Sequence, residues 1–415
     1  MAYKLAVLFH EPETEGKDLS RPELGNPGVG GTAYCFALLL QALEAKGNVE
    51  IFVYSVQDVK LPVENFIRVE SALEGLRAAE KNAHRTVLLR NHQEDQVYAL
   101  LECLDLRYIF WMHNRLTYTE IQLFRNTKQV KRVVAVGREM YDFYVDDLIC
   151  DKMAYVPNPF IPPSEQYIRG PVNEKRVTYV GSLIPDKNFH ILAAYWKTVL
   201  QAVPDATLHI IGNGQLYDAN AQMGPYGLAE REYEAQFMPG ITDPNGQLLP
   251  GVVFHGILGE EKYQVFQNTA VGIINPLGTE TFGLAAVEME ACGVPVVCRR
   301  KYGLCDSVKD QETGLLYPEV SEMAATLIRL LQDTALNNQM GAAAAAFART
   351  FFLPQNHVEQ WIRIILEATE SRPAQYCKPV SNLDNNKKKI RMILHEIHRV
   401  PFLRWVPSIH DIQKK

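Results

Sequence analysis

The sequence lacks any long uninterrupted run of apolar residues. Hydrophobic residues make up 47% of its 415 positions, but no stretch approaches the roughly 18 consecutive apolar residues that a membrane-spanning helix needs. The first apolar run, LAVLF, is too short for the core of a secretory signal, and His10, Glu11 and Pro12 follow it at once. We therefore expect a protein without a membrane span that stays in the cytoplasm.

Paired cysteines and several short catalytic signatures are also missing. The seven cysteines are an odd number and contain no Cys-x-x-Cys pair, which argues against a disulfide framework or a zinc knuckle. Most of them, including Cys35, Cys292 and Cys298, occur in apolar runs and indicate reduced core residues. No P-loop, zinc-protease helix or nucleophile elbow occurs either, so the enzyme classes that depend on these motifs are not indicated.

Acidic residues are in excess over the whole chain, whose formal net charge is −6, but the C-terminal end is basic. Residues 387–415 contain eight Lys or Arg against Glu396 and Asp411. A basic segment on an acidic body predicts an anionic partner, and this one would lie on the anionic lipid of a membrane surface. Docking of its apolar residues on the N-terminal domain is an equally supported alternative, and the two are compatible.

What the sequence does contain is a repeated alternation of short β-type runs with helical segments, which predicts α/β units with parallel sheets. In the first half, helical segments at 33–46 and 97–103 separate the strand candidates KLAVLFH, VEIFVYS, RTVLLRN, RYIFWMHN and KRVVAVG. The strand candidates of the second half are RVTYVGS, ATLHIIGNG, GVVFHG, VGIINP, VPVVC and TGLLYP. The pattern predicts two Rossmann-like domains.

The most informative segment is GTETFGLAAVEMEACGVPVV, which contains Glu280 and Glu288. Its pattern predicts a loop, a helix from Phe282 to Ala291 that ends at Gly293, and then a buried parallel strand. The first turn of such a helix offers unpaired N–H groups at the carboxyl ends of the strands, where ligands of α/β sheets bind. We therefore expect an anion beside residues 282–284.

The two carboxylates can accept hydrogen bonds from the hydroxyl groups of one ligand of nucleotide size. Glu280 precedes the first helical turn, and Glu288 is predicted to lie about two turns inside the helix. In the alternative interpretation, Glu288 faces solvent, as we predict for Glu290, and Glu280 is an ordinary first-turn acid favoured by the helix dipole. The Gly-rich approach and the strands on each side favour the ligand-binding interpretation.

This run, with its two glutamates, an internal Phe-Gly and a trailing Gly-Val-Pro-Val-Val, resembles the E-x7-E signature of retaining glycosyltransferases with the GT-B fold, especially glycosyltransferase family 4. The resemblance implies two Rossmann-like domains with parallel sheets that face each other across a cleft. It also implies a C-terminal helix that crosses back to the N-terminal domain. The resemblance is close over about 176–318, whereas the N-terminal half shares only its layout, a Gly-rich loop and His113.

The proline-rich tract VPNPFIPPSEQYIRGPVNE is the best candidate for a domain linker. The chain accordingly divides into an N-terminal acceptor-side domain (1–157), the linker (158–174) and a C-terminal nucleotide-sugar-binding domain (175–352). A crossover helix and a basic amphipathic tail (353–415) would pack back on the N-terminal domain. Within the second domain, residues 214–250 are interpreted as a specificity insertion with one helix near 229–237.

The resemblance also implies roles for individual residues of the second domain. Glu288 would bind the ribose of a nucleoside-diphosphate sugar, and Glu280 would hold the donor sugar. The residues that follow Glu280 would hold the sugar and the diphosphate through their amides: Thr281, Phe282, Gly283 and Leu284. Lys187, at the turn from a strand into a helix, would stabilise the charge that develops on the leaving diphosphate.

One position departs from the family pattern. Family members usually carry an arginine where this chain has Ser182. One charged hydrogen bond to phosphate contributes about 1.5–3 kcal/mol, so an active enzyme would need a replacement. Three cations follow the strand VPVVC and are candidates for it, although a solvated turn is an equally supported interpretation: Arg299, Arg300 and Lys301.

Further candidates come from other strand ends and from a glycine loop. His113 follows the strand RYIFW, where family members carry a histidine that contacts the donor sugar, and His92 occupies an analogous strand end. Gly30 and Gly31 precede a helix whose N-terminus would approach a phosphate or a sugar. Four residues at strand ends are assigned to the nucleotide base pocket by position alone: Asn213, Gly214, His255 and Gly256.

From these features we predict a retaining, metal-independent hexosyltransferase that moves a sugar from a UDP-linked or other nucleoside-diphosphate donor to a glycan or lipid-linked acceptor. Surface polysaccharide or glycoconjugate biosynthesis is the expected setting. Metal-dependent sugar transferases of the other major fold use an Asp-x-Asp triplet, which this chain lacks. We therefore predict no metal site, no cofactor beyond the donor and no nucleic-acid partner. The expected location is the cytoplasm, with peripheral contact to the inner membrane face through the tail.

Two alternative functions are compatible with the sequence. A non-catalytic nucleotide-sugar-binding module would retain the cleft without the chemistry, and Ser182 in place of arginine favours it. A nucleotide-sugar epimerase of the same fold would convert the donor without any acceptor.

Overall fold

The computed structural model describes residues 3–172, 174–214, 222–379 and 387–413. This part of the chain forms two compact units. The first unit comprises Met1–Ile161 and Phe352–Lys415, and the second comprises Pro162–Phe351. The chain therefore passes into the second unit inside the proline-rich tract and returns to the first unit at Phe352.

The described part of the first unit contains a sheet of seven parallel strands. They are Tyr3–Phe9 (β1), Val49–Ser55 (β2), Asn65–Arg68 (β3), Thr86–Arg90 (β4), Arg107–Met112 (β5), Val130–Ala135 (β6) and Met153–Tyr155 (β7). Their order is β3-β2-β1-β4-β5-β6-β7. Five correspond to the strand candidates of the sequence. The other two, β3 and β7, are short edge strands, which do not require a continuous apolar run and therefore give little signal.

The helices that follow these strands are Gly31–Lys46 (α1), Ala72–Lys81 (α2), Asp95–Ala99 (α3), Tyr118–Asn126 (α4) and Arg138–Asp142 (α5). The prediction for 33–46 is two residues short, because the glycine loop enters α1 directly with Gly30 as the N-cap. The prediction for 97–103 is displaced, since α3 begins at Asp95 and is already complete at Ala99.

The described part of the second unit contains a sheet of six parallel strands. They are Arg176–Val180 (β8), Thr207–Ile211 (β9), Val252–Gly256 (β10), Val271–Ile273 (β11), Val296–Arg299 (β12) and Gly314–Tyr317 (β13). Their order is β10-β9-β8-β11-β12-β13. Each overlaps one strand candidate of the sequence. Central parallel strands are covered on both faces, and their sequences are therefore short continuous apolar runs.

The helices of the second unit are Phe189–Ala202 (α6), Arg231–Ile241 (α7), Lys262–Gln267 (α8), Leu284–Ala291 (α9), Leu304–Ser307 (α10), Met323–Gln332 (α11) and Thr334–Phe351 (α12). α9 begins two residues later than predicted, because Gly283 has a left-handed conformation with φ 93°. α7 lies at 231–241 instead of 229–237. Residues 215–221 of the predicted insertion lie outside the described residues.

The chain returns to the first unit with Pro354–Thr369 (α13), followed by Lys388–His398 (α14) and Ile409–Gln413 (α15). α13 packs on α1 and on β4, β5 and β6. Trp361 of α13 meets Trp111 of β5 edge to face, with 4.9 Å between the ring centroids. The expected crossover helix is therefore part of the first unit. Among the described residues, no helix combines the length and apolar character required to cross a membrane.

The basic tail, residues 387–413, docks on the first unit through its charges. Lys388 Nζ lies 2.8 Å from a Glu139 oxygen and 2.9 Å from an Asp142 oxygen. Arg391 Nη1 lies 2.5 Å from Asp146 Oδ1, and all of these side chains are buried. Charged side chains therefore contribute to docking beside the apolar contacts that the sequence suggested, since Ile409 of the tail is also buried, at 4% exposed. Buried carboxylates need cationic partners, and the tail supplies two of them.

The Arg391–Asp146 pair predicts how firmly the tail is held. Arg391→Ala removes the guanidinium and leaves Asp146 buried, which typically costs about 3–5 kcal/mol. We expect much faster hydrogen–deuterium exchange of the α14 amides. Arg399→Ala is the matched control, because Arg399 and its partner Glu396 are 59% and 61% exposed and such pairs contribute at most about 1 kcal/mol. Equal exchange in both variants would contradict charge-mediated docking.

Candidate active site

The strand order of the second sheet places β8 between β9 and β11, so consecutive strands depart to opposite sides there. Ligands of open α/β sheets bind at such a switch point, outside the carboxyl ends of the strands. Lys187 follows β8 and Glu280 follows β11, and the Lys187 Nζ and Glu280 Oε1 atoms are 2.6 Å apart. The fold thus brings together two of the predicted catalytic residues at the ligand-binding edge of this sheet.

Two asparagines that the sequence analysis missed orient this ion pair. Asn275 follows β11, is 2% exposed and has a positive φ of 30°. Its Nδ2 donates to Glu280 Oε1 at 2.9 Å, and its Oδ1 accepts from Asn188 Nδ2 at 3.0 Å. Asn188 also has a left-handed conformation, with φ 58°. Asparagine tolerates positive φ better than most residues. The two asparagines at strand-to-helix turns could therefore have been recognised from the sequence as candidate site residues.

The loop that enters α9 is held by close backbone packing. Gly303 N donates to the Glu280 carbonyl at 3.2 Å, and any side chain at Gly303 would collide with the Thr281 carbonyl. A side chain at Gly283 would lie 2.7 Å from a methyl group of Leu304. Phe282 is 2% exposed and packs inward. The first N–H groups of α9, beginning at Gly283 and Leu284, have no acceptor in the preceding turn of helix and form a suitable position for an anion.

Glu288 lies about one turn inside α9 instead of the predicted two, because the helix begins at Leu284. Lys262, at the start of α8, places its Nζ 2.6 Å from Glu288 Oε1, and the two side chains are 16% and 18% exposed. The second signature glutamate therefore also has a lysine partner. The sequence analysis missed Lys262, because nothing in the run LGEEKYQ distinguishes it from an ordinary surface lysine.

Glu290 was predicted to face solvent, but it does not. Its side chain is fully buried, and Oε1 accepts a hydrogen bond from Thr313 Oγ1 at 2.6 Å. Burial raises the pKa of Glu290 well above its ordinary value, because the charged form is poorly solvated there. Only the tertiary packing of α9 decides which of the two glutamates, Glu288 or Glu290, points to the ligand-binding edge.

The three candidate replacements for the missing arginine differ in their surroundings. Ser182 is 5% exposed. Arg299 pairs with Glu319 at 3.1 Å and Arg300 with Asp310 at 2.7 Å. The Lys301 ammonium lies 4.9 Å from the centroid of the Tyr302 ring. A side chain at Gly278, two residues before Glu280, would lie 2.9 Å from Arg299 Cβ and 3.3 Å from Lys301 Cβ, so the cationic segment packs against the Glu280 loop.

The residues assigned to the base pocket are at the carboxyl ends of β9 and β10. The Asn213 carbonyl accepts from Leu183 N at 2.9 Å, which joins the segments after β8 and β9. His255 Nε2 lies 2.9 Å from His209 Nδ1, and burial lowers the pKa of both imidazoles, that of His209 to about 4. Gly256 has a φ of 70°. A Cβ atom added at Gly214 would lie only 2.6 Å from Ala229 Cα. Close packing against Ala229 therefore explains why this position is a glycine.

A second cation–carboxylate pair lies at the switch point of the first sheet, where β1 separates β2 from β4. Glu11 follows β1, Arg90 ends β4, and their Oε2 and Nη1 atoms are 2.5 Å apart. Glu11 is 1% exposed, and burial raises its pKa to about 7 even though Arg90 lowers it. Neither residue was predicted. Both residues lie at the ends of predicted strands, and this position could have identified them as candidate site residues.

His113 lies just beyond the end of β5 and is 8% exposed. Its ring packs on Trp111 with 4.5 Å between the centroids. Burial and the nearby Arg90 lower the His113 pKa to about 3, so the imidazole is neutral at physiological pH. His92 is held elsewhere, since its backbone N–H donates to Glu120 Oε1 at 2.8 Å. The two histidines are therefore distinguished by their packing.

The glycine loop of the first unit leads into α1, with Gly30 as the N-cap and Gly31 as the first helical residue. A side chain at Gly30 would lie 2.6 Å from Glu13 Oε1. A residue larger than glycine would therefore have to displace the flexible end of the Glu13 side chain. The assignment of this helix N-terminus as a phosphate or sugar contact stays a prediction.

The depressed His113 pKa predicts a pH-dependent stability. The folded state resists protonation down to about pH 3, whereas the unfolded chain takes up the proton near pH 6.5. The contribution of His113 to the free energy of unfolding is therefore complete above pH 6.5. It decreases as the pH falls, by up to about 1.4 kcal/mol per pH unit. We expect His113→Gln to flatten the pH dependence of the urea unfolding free energy between pH 6.5 and 5. Parallel curves for both proteins would contradict a buried neutral imidazole.

Comparison with known proteins agrees with the geometry of the second unit. Residues 174–333 match the family of glycosyl transferases group 1. The chain is 26% identical over 283 residues to a D-inositol 3-phosphate glycosyltransferase from Corynebacterium aurimucosum, covering 66% of this chain and 60% of the relative. It is 30% identical over 183 residues to the enzyme of that name from Corynebacterium glutamicum, covering 44% and 41%. The matches thus span between two fifths and three fifths of these relatives.

Solved structures show the same fold at low sequence identity. Sucrose-phosphate synthase from Thermosynechococcus elongatus aligns with a TM-score of 0.64 at 16% identity, covering 89% of this chain and all of that one. HepE from Anabaena, solved in complex with UDP-glucose, aligns with a TM-score of 0.60 at 16% identity, covering 87% and 99%. The two parallel sheets and these neighbours place the chain in the GT-B fold class, as predicted, and residues 174–333 form a glycosyl transferases group 1 domain.

Proposed function

We propose that this chain, whose residues 174–333 belong to the glycosyl transferases group 1, transfers a hexosyl group from a nucleoside-diphosphate sugar to an acceptor hydroxyl. One observation carries the proposal. The Lys187–Glu280 pair, 2.6 Å long, lies at the switch point of the second sheet, next to the N-terminus of α9. A cation and the amides at a helix N-terminus suit a diphosphate, and a carboxylate suits the hydroxyl groups of the sugar bonded to it.

Each group has a proposed task in donor binding. The Glu280 carboxylate is fixed through Oε1 by Lys187 and Asn275, and Oε2 is assigned to the hydroxyls of the donor sugar. The amides from Thr281 to Leu284 are assigned to the diphosphate. The Glu288 carboxylate is held through Oε1 by Lys262, and Oε2 is assigned to the ribose hydroxyls. Both carboxylates are thus oriented before the ligand arrives, which lowers the entropy lost on binding.

The proposed reaction retains the configuration of the donor sugar. The bond between the anomeric carbon and the diphosphate oxygen breaks, and the acceptor oxygen forms its bond on the same face. The departing phosphate oxygen takes the proton of the acceptor hydroxyl, so no separate general base is needed. The Lys187 ammonium and the amides of α9 stabilise the negative charge on the leaving group in place of a metal ion. Covalent catalysis by Glu280, as in retaining glycosidases, is the minor alternative.

We assign the charge that Ser182 lacks to Lys301. Arg299 and Arg300 are already engaged by Glu319 and Asp310, whereas the Lys301 ammonium lies over the Tyr302 ring. Both Arg299 and Lys301 belong to the segment that packs against Gly278 in the Glu280 loop. The lysine side chain is long and rotatable. It can therefore leave the Tyr302 ring and approach a phosphate bound beside Glu280.

The donor is proposed to be a UDP-sugar, which is supported by the neighbouring HepE structures in complex with UDP and with UDP-glucose. The relatives named D-inositol 3-phosphate glycosyltransferase make a phosphorylated cyclitol one acceptor to test. A glycan or a lipid-linked saccharide of surface polysaccharide or glycoconjugate biosynthesis is the acceptor class that we favour. The exposed apolar and cationic tail, described below, supports an acceptor that is embedded in a membrane.

The decisive experiment is a donor screen. We expect UDP-sugars to raise the melting temperature more than GDP- or ADP-sugars, and UDP to be released slowly without acceptor and in the presence of EDTA. Candidate acceptors, including inositol 3-phosphate and lipid-linked saccharides, should accelerate the release. Stabilisation without turnover under any condition would identify a binding module, and formation of a different UDP-sugar would identify an epimerase. Absence of stabilisation by every nucleotide sugar would refute the proposed function.

The two glutamates should fail in different ways. Glu288→Ala removes the proposed ribose contact, so UDP should bind at least about tenfold more weakly, consistent with loss of a charged hydrogen bond. Glu280→Ala should leave UDP affinity within about twofold but abolish transfer. Glu290→Gln is the control, because Glu290 is buried and hydrogen-bonded to Thr313, and it should preserve both properties. Isothermal titration with UDP and transfer assays separate these outcomes; equal losses of UDP affinity in both alanine variants would disprove the division of roles.

The assignment of Lys301 also has a direct test. Lys301→Gln should lower UDP affinity and transfer about tenfold or more, because a charged contact to phosphate contributes about 1.5–3 kcal/mol, and should leave uridine affinity unchanged. Lys309→Gln serves as the control, since Lys309 is exposed and pairs with Glu312. Introducing arginine by Ser182→Arg should restore UDP affinity to the Lys301→Gln protein. Unchanged UDP affinity in Lys301→Gln would assign the charge elsewhere.

A further inference from the structure

The helix α14 has an inverted distribution of polarity. Its buried side chains are Lys388, Arg391, His395 and His398, which recur at helical spacing and face the first unit. Ile390 and Ile393 point the other way and are 51% and 56% exposed. A surface helix normally buries its apolar stripe and exposes its charges. Here the carboxylates of the first unit occupy the inner side, so the apolar stripe is turned outward.

The segment after α14 continues this outward apolar character. Phe402 and Trp405 are 76% and 78% exposed, and Ile412 is 66% exposed. The other three tryptophans of the chain, Trp111, Trp196 and Trp361, are at most 2% exposed. Single exposed apolar residues are ordinary on protein surfaces. Among the described residues, however, the two most exposed large apolar side chains both occur in this short segment.

Cations surround these apolar residues. Lys387, Lys389, Arg399 and Arg404 of the tail are exposed, while Glu396 is its exposed carboxylate within the described residues. Arg404 pairs with Asp151 of the first unit. A surface that combines outward aromatic and aliphatic side chains with an excess of Lys and Arg is complementary to an anionic bilayer. The lipid headgroups bind the cations, and the apolar side chains enter the boundary of the acyl region.

We propose that the tail surface, formed by Ile390, Ile393, Phe402, Trp405 and the exposed cations around them, binds the surface of an anionic lipid bilayer. The buried pairs of Lys388 and Arg391 hold the tail on the first unit, so the tail does not need to undock in order to bind lipid. The cations that the sequence alone suggested as lipid ligands divide into two groups. Lys388 and Arg391 bind buried carboxylates of the first unit, whereas the exposed cations of the described tail are Lys387, Lys389, Arg399 and Arg404. The proposal stands independently of the proposed function.

Trp405 provides the readout for the test, because the other three tryptophans are buried. Vesicles of phosphatidylglycerol and phosphatidylcholine should shift the emission of the full-length protein to shorter wavelength and protect it from acrylamide quenching. Vesicles of phosphatidylcholine alone should have little effect, and raised ionic strength should weaken the response. Trp405→Phe should remove the spectral change while vesicle co-sedimentation largely persists. Absence of a spectral shift and of co-sedimentation with anionic vesicles would overturn the proposal.

Substitutions define which contacts act. Phe402→Ser combined with Trp405→Ser should weaken co-sedimentation with anionic vesicles about tenfold or more, since each buried CH₂ contributes to membrane partition. Leu24→Ser is the matched control, because Leu24 is exposed at 58% outside the tail. Lys387→Gln with Lys389→Gln should weaken binding to anionic vesicles and reduce its salt dependence. Equal vesicle binding by the double-serine variant and the control would overturn the proposal. The proposal would also be overturned if sedimentation velocity without lipid showed a dimer that the double-serine variant no longer forms. The surface would then bind a second copy of the chain.

Discussion

Parallel strand pairing is the constraint on which the rest of this structure depends. In each sheet the strands end at one common edge, and the first strand of the unit lies between neighbours that lead away in opposite directions. A cation and a carboxylate meet at this switch point in both units: Arg90 with Glu11 in the first, and Lys187 with Glu280 in the second. The residues that carry the proposed chemistry are distant in the sequence, and only the strand order makes them neighbours.

The second recurring theme is the pairing of partly buried charge. Each signature glutamate has a lysine at 2.6 Å, and the buried carboxylates Glu139, Asp142 and Asp146 receive their cations from the tail. An unpaired charge in the interior is far more costly than a paired one. This requirement explains why the tail presents Lys388 and Arg391 inward, and why Ile390, Ile393, Phe402 and Trp405 are left on the outside.

Much of the architecture was predictable from local sequence because continuous apolar runs bounded by glycine, proline and polar residues mark buried parallel strands. All six strands of the second sheet, five of the first, and the helix that carries the E-x7-E signature were recognised in this way. The edge strands β3 and β7 were missed, because they contain only four and three residues and give little pattern to recognise. The start of α9 was placed two residues early, since Gly283 has a left-handed conformation and an added side chain there would collide with Leu304.

By itself, the sequence determined the α/β class, the order of its strands along the chain and the identity of the two glutamates, because these depend on local patterns of burial and on residue spacing. The tertiary structure alone decided which side chains meet. It placed Lys187 and Asn275 on Glu280 and Lys262 on Glu288, buried Glu290, and turned the polar face of α14 inward. These outcomes depend on contacts between residues far apart in the chain, where burial and charge pairing decide the free energy and no local pattern records the partner.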